Sequence, residues 1–354
     1  MDMAVNASDV AFNASGLTPL TTDYIQMYCN AAMVLVGVPL NVITSYYLVR
    51  QYQSSTSRIH LLYLNLNLSD LMVLFFYSLT KFFWLFTYKW LAGDAVCRIM
   101  KFLESFSFAF SSNVIVTIAI DRLYSLYKPI SAESHGRAIK MLGSAWTLAA
   151  LTSIPQLFVW QTYVPRDYPT FTQCVSQWIA KEDEYNQTSS DGISWRVYSA
   201  YHLLIIFWIP LIILVICYGF ILKAVIAVAR TAKNDAEIRR QSDPHILERE
   251  ALYLSNGHER LRKAKVKAWK MTLVLVTLYM TCWFPYNTLS WWKIIHPDSY
   301  KNTENHLYFL HSLIVLNSVL NPLVYGRINI PCRLVLARPV KKTKKKSRPG
   351  RKRC

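Results

Sequence analysis

Charge is what this sequence has least of for its size. Asp, Glu, Lys and Arg make up 17% of 354 residues, against roughly 25% in soluble domains, while 53% of the residues are hydrophobic. That balance argues against a soluble enzyme and for a membrane protein. Acids are scarcer than bases, giving a net charge of +18. The basic tail "VKKTKKKSRPGRKRC" would suit an RNA-binding arm in a soluble chain, but behind long apolar runs it suits anionic lipid headgroups, so membrane lipids and not nucleic acid are the expected partner. The seven cysteines are too few and scattered for a disulfide scaffold, and their odd number leaves at least one free or modified. The opening "MDMAVNASDVAFNASGLTPL" has neither a basic nor an apolar signal region, so the first span is expected to direct insertion itself.

What is present in quantity is long apolar runs. Windows long enough to cross a hydrocarbon core recur at about 25–50, 59–86, 97–127, 139–160, 198–229, 266–292 and 305–326. None alternates like a barrel strand, so the expected fold is an all-α membrane protein, a seven-transmembrane helix bundle. Lys and Arg gather in the connector after span five (Arg230, Lys233, Arg239, Arg240 and onward to Lys267), in the Arg122–Lys140 connector and in the tail. The positive-inside rule makes that side cytoplasmic and places the N-terminus outside. Sequons at Asn6, Asn13 and Asn186 then fall outside, as glycosylation requires; a fourth match at Asn67 lies within span two and is set aside. Residues 1–24 read as a glycosylated extracellular segment and 25–326 as the membrane domain, with a third cytoplasmic loop at about 230–265. Residues 327–354 read as a short polybasic tail.

Polar residues at bilayer depth are costly and point to function. Asp70 in "NLNLSDLMVLFF" is a lone carboxylate with Asn41, Ser111, Asn317, Ser318 and Asn321 as prospective neighbours. Such oxygen ligands suit a small cation such as sodium or a water cluster; equally, Asp70 can be hydrogen-bonded glue between helices. Span three separates Cys97 from Arg122 by about 37 Å, the full membrane thickness, which puts Cys97 at the outer rim. The other cysteine in a long outer connector is Cys174, so a Cys97–Cys174 disulfide is expected. Cys29, Cys217 and Cys282 read as inert buried thiols. Asp121-Arg122 at the inner rim has two readings. Arg122 can simply snorkel to headgroups, or it can act with Tyr218, Tyr325 and the Asn321-Pro322 kink, which lie at comparable depth.

Asn41, "LSD" ending at Asp70, Trp90, Cys97, Asp121-Arg122, Trp146, Cys174, Pro210, Tyr218, "CWFPY" and "NPLVY" follow one another in order along the helices. Together they resemble the rhodopsin-like (class A) G-protein-coupled receptors across nearly the whole chain. The resemblance implies a plasma-membrane, multi-pass receptor that activates a heterotrimeric G protein. It implies that span six, bent at Pro285, swings outward at its inner end. Trp283 then couples ligand to the swing, Arg122 meets the G protein, and Tyr218 and Tyr325 hold the open state. "FTQCV", "PLIILVICY" and "CWFPY" are similar to the gonadotropin-releasing-hormone and adipokinetic-hormone receptor group, with vasopressin-like receptors nearby. That implies a peptide ligand and a Gq-type calcium response.

The chain departs from that group in places. Lys265 stands near where some members restrain the arginine with an acid, so Asp121 alone is expected to hold Arg122. Asp70 and Asn321 keep the ordinary class A arrangement, which vertebrate gonadotropin-releasing-hormone receptors exchange. Lys81 and Glu104 reverse that group's acid on span two and base on span three. The expected ligand cavity gathers Lys81, Lys101, Glu104, Gln173, Tyr286, Asn287, Trp291, Glu304 and His311, aromatic walls with convergent charges that suit an amidated peptide. Glu104 and Glu304 are expected to recognise a basic or amide group; the competing reading is that Glu104 neutralises Lys101 or Lys81. In the tail, Cys332 is either palmitoylated or a plain thiol.

Three rivals are weaker. A retinal photoreceptor needs a span-seven lysine, and "LYFLHSLIVLNSVLNPLVY" has none. A transporter would show paired repeats or broken helices. An enzyme would need a catalytic cluster, and isolated His202 and His311 do not make one. Within class A, a vasopressin-like peptide or a small amine is the alternative ligand, and no cofactor is expected beyond the ion at Asp70.

Overall fold

The computed structural model describes residues 19, 21–127, 135–166, 168–185, 192–241, 250–301 and 308–329. Side chains are described within those ranges except at 182–185, 228–229, 231–241, 250–270, 298, 301, 308–309 and 326–329. Asn6, Asn13, Asn186, Glu304 and Cys332 lie outside the described residues.

Seven long helices account for the apolar windows. They are α1 (Thr21–Ser55), α2 (Arg58–Thr87), α3 (Gly93–Tyr127), α4 (His135–Val159), α5 (192–241), α6 (Glu250–Ile295) and α7 (Leu313–Asn329). A helix satisfies its backbone within itself, which hydrocarbon demands. Five of the described helices are long and apolar enough to cross a membrane, and the shorter apolar Leu310–Tyr325 adds to them. Lipid-facing positions stay apolar, as at Leu35, Val36, Ile43, Phe83 and Leu151. α3 is the central post: 83% of its apolar window is buried, against 22% for α1. Its buried Phe106, Phe108, Phe110 and Ile115 lie in the main core with Trp283, Phe207 and Tyr325. Both α5 and α6 run past their apolar windows into the basic connector, to Gln241 and from Glu250.

Irregular turns sit where the sequence withholds a donor or crowds the packing. Pro39, Pro285 and Pro322 lie inside α1, α6 and α7. α2 carries a π-helical segment at Leu74–Leu79, and α5 one at Leu204–Trp208, two residues before Pro210. Gly37 of α1 faces the α2 segment so closely that a Cβ there would lie 2.9 Å from Leu74 Cδ1 and 3.0 Å from Val319 Cγ2. Here glycine is needed for approach, not for backbone freedom.

The all-helical expectation needs one addition. Trp160–Tyr163 (β1) and Gln173–Ser176 (β2) form an antiparallel hairpin, with Trp160 opposite Ser176 and Tyr163 opposite Gln173. Four-residue strands are too short to impose a visible alternation on the sequence. The Cys97–Cys174 disulfide is formed, with Cα atoms 5.7 Å apart, and fastens β2 to the start of α3. Trp90 N–H donates to the Thr172 carbonyl at 2.8 Å and Thr162 N–H to Asp94 Oδ1 at 2.8 Å, so both strands are tied to the α2–α3 corner. Cys217 and Cys282 are buried thiols as expected, whereas Cys29 is only half-buried, because α1 lies at the edge of the bundle.

A Gly37→Val receptor should show a lower thermal unfolding midpoint in detergent, since overpacking costs about 1–3 kcal/mol. An unchanged midpoint would mean that α1 and α2 separate freely there.

Candidate functional site

Beneath the hairpin lies a cluster of charge and indole. Lys101 Nζ meets Glu104 Oε2 at 3.0 Å, one turn apart on α3, both nearly inaccessible. The Lys101 ammonium also lies 4.5 Å from the Trp160 ring centroid and 5.2 Å from that of Trp84. Lys81 approaches Trp84 from α2 at 5.1 Å. Such cation–aromatic contacts stabilise a desolvated ammonium. Trp84 Nε1 donates to Gln173 Oε1 at 2.7 Å, and Gln173 Nε2 donates to the Tyr88 carbonyl at 2.8 Å. Four of the expected cavity residues, Lys81, Lys101, Glu104 and Gln173, are thus joined around Trp84. A second group lies on α6 and α7: Tyr286 meets His311 edge-on at 5.2 Å, Asn287 Nδ2 donates to the Trp283 carbonyl at 2.9 Å, and Trp291 packs half-buried on the core.

One helical turn deeper, Trp283 is 1% exposed, with Pro285 two residues on. Its ring meets Phe108 of α3 edge-on at 5.3 Å and stacks on Phe207 of α5 at 6.1 Å. Displacing this indole therefore disturbs three helices together.

Around Asp70 the polar side chains form a chain. Asn321 Nδ2 donates to Asp70 Oδ1 at 3.0 Å and Tyr325 O–H to Asp70 Oδ2 at 3.3 Å. Asn67 Nδ2 donates to Asn41 Oδ1 at 2.7 Å and to the Tyr325 oxygen at 3.1 Å. Asn41 Nδ2 donates to the Ser318 carbonyl at 3.0 Å, and Ser45 donates to Asn67. Asn317 Oδ1 and Asn321 Oδ1 are buried with no hydrogen-bond donor among the described residues. Ser111 and Ser318 are buried at 2% exposure each. Oxygen atoms of this kind suit a hard cation rather than a transition metal.

The opposite end of α3 adds two partners to the expected Asp121–Arg122 pair. The Asp121 carboxylate is shared by three guanidinium groups: Arg58 Nε at 3.1 Å, Arg137 Nη2 at 3.6 Å and Arg122 Nη2 at 3.9 Å. Arg122 is the most distant of the three, so the acid expected to hold it also serves Arg58 and Arg137. Arg58 and Arg137 arrive from the starts of α2 and α4, which a reading of span three by itself does not reveal. Nearby, the Tyr63 and Tyr325 rings stack at 5.5 Å and 8°, and Tyr63 O–H donates to Met271 Sδ at 3.4 Å. That bond joins α2 to the inner half of α6. Tyr218 packs half-buried on the same core.

The family model for the 7 transmembrane receptor (rhodopsin family) matches residues 39–325. The chain belongs to the rhodopsin family of seven-transmembrane receptors. It is 31% identical over 375 residues to the G-protein coupled receptor daf-38 of Caenorhabditis elegans, covering 87% of this chain and 89% of that one. It is 33% identical over 280 residues to the gonadotropin-releasing hormone receptor of Octopus vulgaris, covering 78% and 64%. With the gonadotropin-releasing hormone II receptor of Macaca mulatta the identity is 27% over 340 residues, covering 92% and 83%. The protein is therefore a multi-pass plasma-membrane receptor, not an enzyme, that meets an extracellular ligand and a G protein.

Within the receptor, Asn67, Tyr63, Trp84, Arg58 and Arg137 are site residues that the sequence reading passed over. Asn67 carries a signal, being a polar residue at bilayer depth subject to the same argument as Asp70, which its glycosylation triplet masks. Trp84 and Tyr63 had none, since an aromatic in a span is usually packing.

Glu104→Gln should lower the receptor's unfolding midpoint by several degrees, because removing one partner of a buried ion pair costs about 3–5 kcal/mol. Adding Lys101→Met should recover part of the loss, as the ammonium that Glu104 compensated goes with it. Additive losses in the double variant would show that the two side chains do not act as a pair.

Proposed function

We propose that the receptor recognises an amidated peptide of the gonadotropin-releasing-hormone and adipokinetic-hormone type, with its N-terminus outside and a Gq-type G protein inside. The observation carrying this is the similarity to gonadotropin-releasing hormone receptors, joined to a buried cluster of indoles and opposed charges beneath a disulfide-tied hairpin. The basic connectors and the sequons at Asn6, Asn13 and Asn186 support the orientation.

Recognition on this reading is an exchange. Glu104 is already held by Lys101, so a ligand's amide or basic group reaches it by displacing that ammonium onto the Trp84 and Trp160 rings. Glu304 is the second carboxylate proposed for the same group. Ligand entering between the Trp84 cluster and the Tyr286–His311 pair presses toward Trp283. Its displacement from Phe108 and Phe207 bends α6 at Pro285, where the backbone already lacks a hydrogen bond. The inner half of α6 then leaves Tyr63, and Arg122, loosely held at Asp121, meets the G protein. Asp70 with Asn317 and Asn321 is proposed to hold a sodium ion in the resting state, and Cys332 a palmitoyl chain.

The test is a calcium-mobilisation screen of transfected cells against amidated neuropeptides, followed by Glu104→Arg with any active peptide. A peptide response that falls at least tenfold in potency in the variant, at equal surface expression, is expected. Unchanged potency would remove Glu104 from recognition. Activity confined to small amines would remove the peptide assignment.

A further inference from the structure

The inner ends of α1, α2, α3 and α4 meet in a cluster whose charges do not balance. Three guanidinium groups, from Arg58, Arg122 and Arg137, share the Asp121 carboxylate, which leaves two positive charges uncompensated among the described side chains. Arg58 Nη2 donates to Ser125 Oγ at 2.8 Å, and the Arg137 guanidinium lies 3.7 Å over the Tyr124 ring. His135 stacks on Tyr52 of α1 at 5.9 Å, and its Nε2 lies 3.1 Å from the Tyr52 oxygen. Three nitrogen atoms are left over. Arg58 Nη1, Arg122 Nε and His135 Nδ1 are buried with no hydrogen-bond partner among the described residues. Leaving a buried polar atom unpaired is costly, so three in one place call for a partner from outside the described chain. α2 and α4 also begin here, at Arg58 and His135, with no acid in either first turn. Both therefore present the positive ends of their dipoles to the same spot.

We propose that this cluster binds the phosphomonoester of an inner-leaflet inositol lipid, held between the starts of α2 and α4 by Arg58 and Arg137, with His135 completing the cradle. Charge selects the group. A phosphomonoester carries about −1.5 to −2 near neutral pH, which matches the two uncompensated guanidinium charges, whereas the phosphodiester of an ordinary phospholipid carries one. Shape agrees, because guanidinium forks take phosphate oxygens in pairs. A lipid rather than a free phosphate follows from position. Ile139, two residues past Arg137, is 52% exposed on the apolar flank of α4, and Val49 is 37% exposed on that of α1. Lys140, one turn beyond Arg137, is exposed as well. Basic pockets between helices on the cytoplasmic side take such headgroups. The phosphate joins Asp121 as a second anion and displaces nothing. Its assignment to the inner leaflet rests on the orientation proposed above; the binding itself does not, and neither depends on what Arg122 does toward the G protein.

The test counts lipids bound to the detergent-purified full-length receptor by native mass spectrometry, without G protein. Phosphatidylinositol 4-phosphate, phosphatidylinositol and phosphatidylserine are offered at equal concentration. The wild type should hold phosphatidylinositol 4-phosphate about tenfold more tightly than either of the others. Arg58→Gln with Arg137→Gln should abolish that preference and leave only the binding that the basic tail gives to any anionic lipid. Arg58→Lys with Arg137→Lys keeps both charges, and so carries the test if the glutamine pair fails to fold. It should still lose most of the preference, because an ammonium lacks the fork. Equal binding of the three lipids by the wild type, or a preference that survives either pair of substitutions, overturns the site. Release of the bound lipid by an equal concentration of inositol 1,4-bisphosphate would assign the site to a soluble headgroup and overturn the lipid. Staining of an N-terminal epitope on intact cells checks the orientation by itself. An epitope reached only after permeabilisation overturns the inner-leaflet assignment, while a measured preference stands.

Discussion

Hydrocarbon offers no hydrogen bonds, so each polar group that enters it must be answered from inside the bundle. This constraint organises the receptor's interior. Asp70 is answered by Asn321 and Tyr325 of α7, Asn41 by the Ser318 backbone, and Asn67 by Asn41 and Tyr325. α1, α2 and α7 are thereby fastened along a continuous polar seam. Above it, Ser78 donates to Asn30 Oδ1 at 2.7 Å, beside the π-helical segment of α2. A seam of this kind is specific in register, because a one-turn slip would leave several of its members buried and unpaired at once.

α6 is held differently. Its core face rests on aromatic packing at Trp283 and Tyr279 and on the Tyr279 hydroxyl's bonds to Ser112 and the Ile206 carbonyl, and at Met271 it meets α2 through a hydroxyl–thioether bond from Tyr63, a weak acceptor contact. A proline interrupts its backbone between the ligand side and the inner half. Among the described side chains, the bundle thus pairs a group of helices fastened by a polar seam with one helix held mainly by aromatic packing. That difference is the physical basis for assigning motion to α6. At the inner end Asp121 serves three arginines, so one carboxylate is asked to compensate three charges. Arg122 is the one it compensates least.

Much of this was legible in the chain, because membrane helices write their length and apolarity directly into sequence. Five of the spans fell within about six residues of helices long and apolar enough to cross a membrane, the other two overlap α6 and α7, and Cys97 and Cys174 paired as the outer-rim argument required. Asp70 drew three of its five expected neighbours, Asn321, Asn41 and Ser318, into one network, directly or through Asn67 and Asn41, whereas Ser111 and Asn317 are buried but joined to it by no described bond. The hairpin was not legible, since its short strands are held by a disulfide and by contacts to the α2–α3 corner instead of by their own pattern. The sharing of Asp121 was not legible either. Arg58 and Arg137 belong to connectors in sequence and reach Asp121 only through the packing of α2 and α4 on α3. The choice of Lys101 over Lys81 for the described pair with Glu104 was one of two open readings, settled in favour of the i, i+3 neighbour on the same helix face.

On the proposed activation, the inner half of α6 leaves α2 before the receptor acts. Cysteines at positions 63 and 271, joined by a short bis-maleimide bridge across the Tyr63–Met271 contact, test it most directly through nucleotide exchange on the G protein. Exchange should fall to the receptor-free level once the bridge forms, while the unbridged double variant stays active. Undiminished exchange from the bridged receptor would contradict the claim.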